Sequence, residues 1–475
     1  MKIYFRYFFL CGLLFLFASA SRAAIAPIEQ STLDNGSTLL VRRDAIAPRV
    51  AISLLVRAGA SDETAATAGW RQVLAFAVLR ATRLAVEDKD AEDKAGGEKD
   101  KEITVRLSDW QARLENWGGQ IGATVDDDGI EFWITGDSAH TSELMRALLQ
   151  IVTQPRLGEE DLVAARRRAL ALQNQASNTI SARATQSIAR QLYLDKTGAP
   201  LAYALPSFGT FETLGNLTEA QLHEWHAKYF VPSRFIISAT GDADTAILKA
   251  EVNRLPAAGT PQDGSTPAVN APVFAPLKSA QPPLIVREMG TGSAWVFVSY
   301  RTPAPGAMTP LENAAIEILT AALEGSAKAR LPLRLLGDEG TPFNPNAKSN
   351  ALAALSAAQW TPRRFAGELT IFAQTGPQNV DAVKNALLDE MRKLRDAPLA
   401  PAELQSAKDF ARGSWAQSRD VPHERAFQAA LAALQKTAPD TKTPDYLQAV
   451  TTNILQKTAQ KYLRDYVVVL IMPEE

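Results

Sequence analysis

Few residues in this sequence are suited to chemistry. Four histidines stand at 140, 223, 226 and 423, and a single cysteine at 11. The closest pair is His223-Glu224-Trp225-His226. A spacing of three puts both imidazoles on one helix face, where a distant carboxylate would complete a metal site. H-E-x-H is not the H-E-x-x-H of a zinc helix, however, and structural or solvated histidines are the simpler reading. Asp126-Asp127-Asp128-Gly129 has the acidity of a calcium loop but lacks the glycine and distal glutamate of an EF-hand. It separates two alternating runs, Gly122-Ala123-Thr124-Val125 and Ile130-Glu131-Phe132-Trp133, which makes a hairpin turn the expectation. No phosphate-binding glycine loop occurs, and no serine, threonine or lysine has a nucleophile's signature. Trp70, Trp117, Trp133 and Trp225 fall in apolar or turn contexts and read as packing residues.

The chain around these residues has 475 positions, 46% hydrophobic and 21% charged, a globular composition with room for several domains. Lys+Arg number 50 against 52 Asp+Glu, so no basic excess points to nucleic acid and no acidic excess to a disordered tail. Residues 1–23 read as a signal peptide. Lys2 and Arg6 form a positive start, Tyr7 to Phe17 is apolar, and Ala18-Ser19-Ala20 and Ser21-Arg22-Ala23 offer cleavage sites. The apolar run is too short to span roughly 30 Å of hydrocarbon as a helix. Cys11 lies inside it, so the mature chain would be cysteine-free. Without Lys2, Arg6 and Arg22 it would carry 47 bases against 52 acids, a charge of −5. The expectation is an exported protein with no stable membrane anchor.

The mature chain reads as a duplication. A strand and helix over 50–85 match 294–323; strand, helix, loop and helix over 130–170 match 367–413; a helix ending in Lys-Tyr before an apolar strand occurs at 217–242 and again at 450–474. The offsets are about 244, 237 and 233 residues. Residues 24–254 and 284–475 are the two expected domains, joined by a Pro/Ala/Gly-rich linker over 255–283. Alternating strands mixed with amphipathic helices imply an α+β fold, each domain a mainly antiparallel β-sheet with helices packed on one face. Residues 87–102 break the pattern with eight acids and four lysines in sixteen positions, the composition of a mobile surface loop.

Residues 31–63 resemble the opening strands of the pitrilysin/insulysin/mitochondrial processing peptidase family. The similarity runs on through Asn116-Trp117-Gly118-Gly119, residues 189–214, Gly241-Asp242, residues 326–340 and the closing helix and strand. Active members of that family are zinc peptidases with an inverted H-x-x-E-H motif: two histidines on one helix face ligate the metal and the glutamate takes a proton from its water. The corresponding helix here reads Gln72-Val73-Leu74-Ala75-Phe76, so the resemblance puts Gln72 and Phe76 at the histidine positions and Ala75 at the glutamate. The third ligand falls near Leu172, and no Asp or Glu occurs from Leu162 to Leu194. The substrate-binding Arg and Tyr of the second domain fall on Leu336 and Phe343, with Arg330 and Arg334 as weak stand-ins.

The resemblance therefore implies a non-catalytic member with no zinc. Its expected role is to form half of a peptide-enclosing chamber as a heterodimer with a zinc-bearing catalytic paralogue, in the periplasm of a Gram-negative bacterium. The alternatives are a stand-alone periplasmic peptide-binding or structural homodimer and, less favoured, an active peptidase using unconventional ligands such as His223 and His226.

Overall fold

The computed structural model describes residues 26–84, 103–256, 271–277, 282–289, 291–337 and 351–474. Residues 1–23, read in the sequence as a signal peptide, the charged stretch 87–102 and Phe343 lie outside them. Thirteen strands are described: β1 (Glu29–Thr32), β2 (Thr38–Arg43), β3 (Arg49–Val56), β4 (Ala81–Leu84), β5 (Ile103–Arg106), β6 (Gln120–Val125), β7 (Ile130–Asp137), β8 (Phe235–Gly241), β9 (Leu284–Glu288), β10 (Ala294–Pro303), β11 (Leu355–Thr361), β12 (Ala366–Thr375) and β13 (Tyr466–Pro473). The first large sheet runs β1-β2-β8-β3-β7-β6 and the second β11-β12-β10-β13-β9, while β4 and β5 form a separate ribbon. The two large sheets have one topology. Read from the β6 or β11 edge, hairpin partner, central strand, last strand and parallel strand follow in the same order. Among the described residues only β2–β8 and β9–β13 pair in parallel; the other neighbours are antiparallel.

The strands alternate, and the alternation sorts residues between faces. Val50, Ile52, Leu54 and Val56 of β3 join Phe132 and Ile134 of β7 in a core with the helices Trp70–Arg80, Thr141–Thr153 and Glu159–Ser177. Val296, Val298 and Tyr300 of β10 do the same beneath the helices Pro310–Glu324, Val380–Asp396 and Pro401–Gln417. Each sheet thus carries its own half's helices on one face, as the periodicity predicts.

The opposite faces are covered by exchange. Leu40, Leu55 and Ile236 of the first sheet pack against Ala429, Ala430 and Leu434 of the helix Pro422–Gln435, which belongs to the second half. Phe297, Val469 and Ile471 of the second sheet pack against Ile188 and Leu192 of the helix Ile180–Leu192, which belongs to the first. The alanines of the Pro422–Gln435 helix are what let its backbone approach a flat sheet closely. Among the described residues, no helix is long and apolar enough to cross a membrane.

Because Ala430 is fully buried against the foreign sheet, enlarging it should open the contact between halves. We expect Ala430→Leu to cost about 1–3 kcal/mol by overpacking, measured by denaturant unfolding. A variant as stable as the parent would show that this helix does not clamp the two sheets.

Candidate functional site

The helix Trp70–Arg80 begins under a tight constraint. Gly69 (φ +84°) and Gly209 (φ +72°) meet back to back, and a Cβ on Gly69 would stand 2.6 Å from the Gly209 backbone. Side chains larger than hydrogen do not fit there. Trp70 Nε1 donates to the Thr213 carbonyl at 3.0 Å, fixing the same end against the loop that follows. From this start Gln72 is buried at 7% exposure and Ala75 is fully buried in the first core. Phe76 is partly buried against that core, and the Arg168 guanidinium lies 4.2 Å over its ring. Arg168 comes from the helix Glu159–Ser177, which also carries Leu172 in a half-exposed position. The groove between these two helices is therefore closed by an aromatic ring with a cation stacked on it.

Zinc does not fit this groove. The residues the resemblance aligns with the ligands supply an amide, a methyl group, a phenyl ring and an isobutyl group, and a fixed positive charge already lies over the ring.

The acidic turn 126–129 is the link between β6 and β7, with Val125 paired to Ile130, so it is the hairpin its flanking alternation predicts. It is also an electrostatic junction. Arg71 is 1% exposed; its guanidinium pairs with Glu63 and reaches Asp127 Oδ1 at 3.4 Å. Asp127 Oδ2 accepts from Arg363 Nε at 2.7 Å, and Ser207 Oγ donates to Oδ1 at 3.1 Å. Arg363, from the second half, also donates to the Tyr193 hydroxyl at 2.8 Å and pairs with Glu368 at 3.2 Å. Burial pushes Asp127 up, but Arg363 and Arg71 together outweigh it and hold the carboxyl below its ordinary range. Its neighbour Asp128 accepts from the Tyr203 hydroxyl at 2.5 Å and from the Arg364 backbone N–H at 2.6 Å. There burial prevails and the carboxyl is pushed up to about 6.

The remaining candidates are dispersed. His223 is exposed and 3.8 Å from Glu219, whereas His226 Nε2 bonds to the Val152 carbonyl at 2.9 Å and its ring packs on Phe230. Burial lowers the His226 pKa, which keeps its ring neutral. His140 stacks on Trp117. His423 lies 4.5 Å from the Trp133 ring and bonds to the buried Glu131 at 2.9 Å, and Ser53 Oγ donates to the same carboxylate oxygen at 2.6 Å. In the second half, Leu336 is buried in the core at the end of the helix Arg330–Leu335. Arg330 is committed: its guanidinium grips Glu403 at 2.5 and 3.0 Å and Glu390 at 3.5 Å. These pairs occupy its Nε, Nη1 and Nη2 within the second half. Arg334 is exposed on the same helix. Among the described residues, no three His, Cys, Asp or Glu side chains form a group that could hold a metal ion.

Residues 216–410 match the family described as the peptidase M16 inactive domain. The match bears out the resemblance seen in the sequence. No curated protein matches the chain. Among solved structures, a protease from Helicobacter pylori superposes with a TM-score of 0.78 at 15% identity, covering 94% of this chain and 100% of that one. A peptidase M16 inactive domain from Pseudomonas fluorescens gives 0.72 at 17% identity, covering 94% and 98%. A chain of complex III2 from Candida albicans, with Inz-5 bound, gives 0.69 at 15% identity, covering 94% and 96%. At these identities the likeness is one of fold, and it extends across both halves.

Two outcomes follow from the acidic turn. Arg363→Ala leaves Asp127 and Glu368 buried without their shared cation, and should cost about 3–5 kcal/mol in denaturant unfolding. Asp128 carries the opposite pH signature. Its folded pKa of about 6 lies above the ordinary 3.8, so its contribution is complete below that value and is lost as pH rises through 6. Asp128→Asn should flatten the pH dependence of stability between these two values; an unchanged slope would rule the residue out as its source.

Proposed function

We propose that this chain is the non-catalytic subunit of a heteromeric zinc metallopeptidase of the pitrilysin/processing-peptidase type. In this reading Gln72, Ala75 and Phe76 replace the inverted zinc motif, Leu172 replaces the third ligand, and Leu336 and Phe343 replace the substrate-binding Arg and Tyr. The chain holds no catalytic zinc. It contributes half of a peptide-enclosing chamber, and a zinc-bearing paralogue supplies the water activation. Export to the periplasm accords with the basic, apolar start of the sequence, and the domain limits 24–254 and 284–475 accord with the two sheets.

One observation carries the reading. The M16 scaffold is kept over nearly the whole chain, while the groove that would hold the metal is closed by Phe76 and Arg168. A fold kept after its reactive groups are gone still offers its shape, and shape is what a chamber wall requires.

The direct test mixes the purified chain with a zinc-bearing paralogue from the same organism. We expect co-elution as one complex and altered peptide turnover by the paralogue. Independent elution with unchanged turnover would refute the subunit role, and peptide capture by a homodimer alone would favour a stand-alone protein instead. Reinstating the motif gives a second test. Gln72→His, Ala75→Glu and Phe76→His together should bind well below one equivalent of zinc by elemental analysis, because the third ligand is absent and Arg168 repels a divalent cation. Stoichiometric zinc in that variant would show that the groove had stayed a metal site.

A further inference from the structure

The helices Pro310–Glu324 and Pro401–Gln417 occupy in the second half the places that Trp70–Arg80 and Glu159–Ser177 occupy in the first. Where the first pair is closed by Phe76 and Arg168, the second pair is hollow. Two adjoining cavities of about 140 and 460 Å³ share Glu317, Trp360 and Arg419 in their walls. Among the described residues the Glu317 carboxylate has neither a hydrogen bond nor an ion pair. Arg419 does not neutralise it at close range: its guanidinium is spent on Asp440 at 3.3 Å and Ser418 at 2.6 Å, with the Trp415 ring 5.3 Å away. Glu317 is half-buried, and desolvation pushes its carboxyl up to about 7 against the partial opposition of Arg419, the condition of an acid lining an open cavity without a close counter-charge.

Other groups in the same walls are also unmet. Asn313 Oδ1 and Asp440 Oδ1 are buried acceptors without a donor among the described residues, and the Trp415 Nε1–H and the Gln435 Nε2 amide are buried donors without an acceptor. Buried polar atoms are rarely left unpaired, and several around one cavity call for an occupant. Three acceptor groups (two of them carboxylates) and two indole walls define its chemistry: several N–H donors, a positive charge, and a flat or slender shape that lies against an aromatic face.

We infer that this cavity of the second half is a binding site for an organic cation, a guanidinium or ammonium group the size of one side chain, with Glu317 as its counter-charge. The group can come from a free small molecule or from the basic side chain of a peptide. The site needs no catalytic partner, so it stands or falls apart from the subunit role.

The experiment is isothermal titration calorimetry on the full-length purified chain near neutral pH. The probes are agmatine, the capped pentapeptide Ala-Ala-Arg-Ala-Ala, and the same peptide with citrulline in place of arginine. Citrulline keeps the shape and removes the charge. We expect binding of at least one arginine-type probe, with the citrulline peptide about tenfold weaker or worse. Tighter binding of agmatine assigns a free cation, and tighter binding of the peptide assigns a peptide side chain. Glu317→Gln, nearly isosteric, should weaken the preferred probe about tenfold while leaving the thermal midpoint in place. The inference is overturned if neither cation binds by about 5 mM, if citrulline binds as well as arginine, or if a folded Glu317→Gln variant binds undiminished. The citrulline comparison uses the unmodified chain, so it decides the matter even where the variant fails to fold.

Discussion

A β-sheet has two faces, and a half of this size has helices enough to cover only one. Everything else in the architecture follows from how the second faces are closed. Leu40, Leu55 and Ile236 would meet water in the first half alone, as would Phe297, Val469 and Ile471 in the second. Burying an aliphatic side chain of this kind is worth about 1.5–3 kcal/mol, so uncovered second faces would leave each half far short of stability. The solution is reciprocal. Each half extends one helix beyond its own bundle and lays it on the other's sheet, so the two sheets are held by two symmetric contacts rather than one.

The covered faces are not purely apolar, and their polar groups fix how the halves fit. Ser53, Glu131, Ser238 and Thr240 are buried on the first sheet, and Ser299, Glu368 and Thr370 on the second. Glu131 is met by His423 from the helix that crosses over. Glu368 is met by Arg363, which in turn reaches across to Asp127. Apolar contact alone would let a helix slide along a sheet, because it is indifferent to register. A buried carboxylate is not indifferent, since any slip leaves it without its partner. Asp127 extends the same logic to the helix Trp70–Arg80 through Arg71. The acidic turn thus ties together the start of that helix and the interface between halves.

Much of this could be read in the sequence, and the remainder was hidden for identifiable reasons. Alternation along β3 and β10 and the three matched segments gave the sheets and the duplication, because those signals are local and periodic. The turn at 126–129 was readable as a hairpin from its flanks. Its role as a junction was not, because Arg363 lies more than two hundred positions away and nothing local marks it as a partner. The alanine stripe of Ala426, Ala429 and Ala430 announces close packing but not against which sheet, so the exchange of helices could not be foreseen. Arg330 shows the same limit: it reads as an ordinary helix-surface cation, and nothing local marks its two carboxylate partners, 60 and 73 positions further on.

The two halves also show how one scaffold can diverge at equivalent places. A metal site is a cavity lined by groups that stabilise a charge. Once the ligands are gone, the cavity is a defect that costs stability unless it is filled or given another occupant. In the first half the groove between the helices Trp70–Arg80 and Glu159–Ser177 is filled: Phe76 supplies volume, and Arg168 covers the ring's outer face with a charge that remains near solvent. In the second half the corresponding space stays open, and its walls keep polar atoms that packing has not satisfied. Those two outcomes impose different constraints on later change. A filled groove tolerates any residues of the right volume, so its chemistry is free to disappear. Around Glu317, half-buried and without an ion pair among the described residues, the walls keep polar atoms that no neighbour meets, and it is there that this fold still holds an unmet chemical demand.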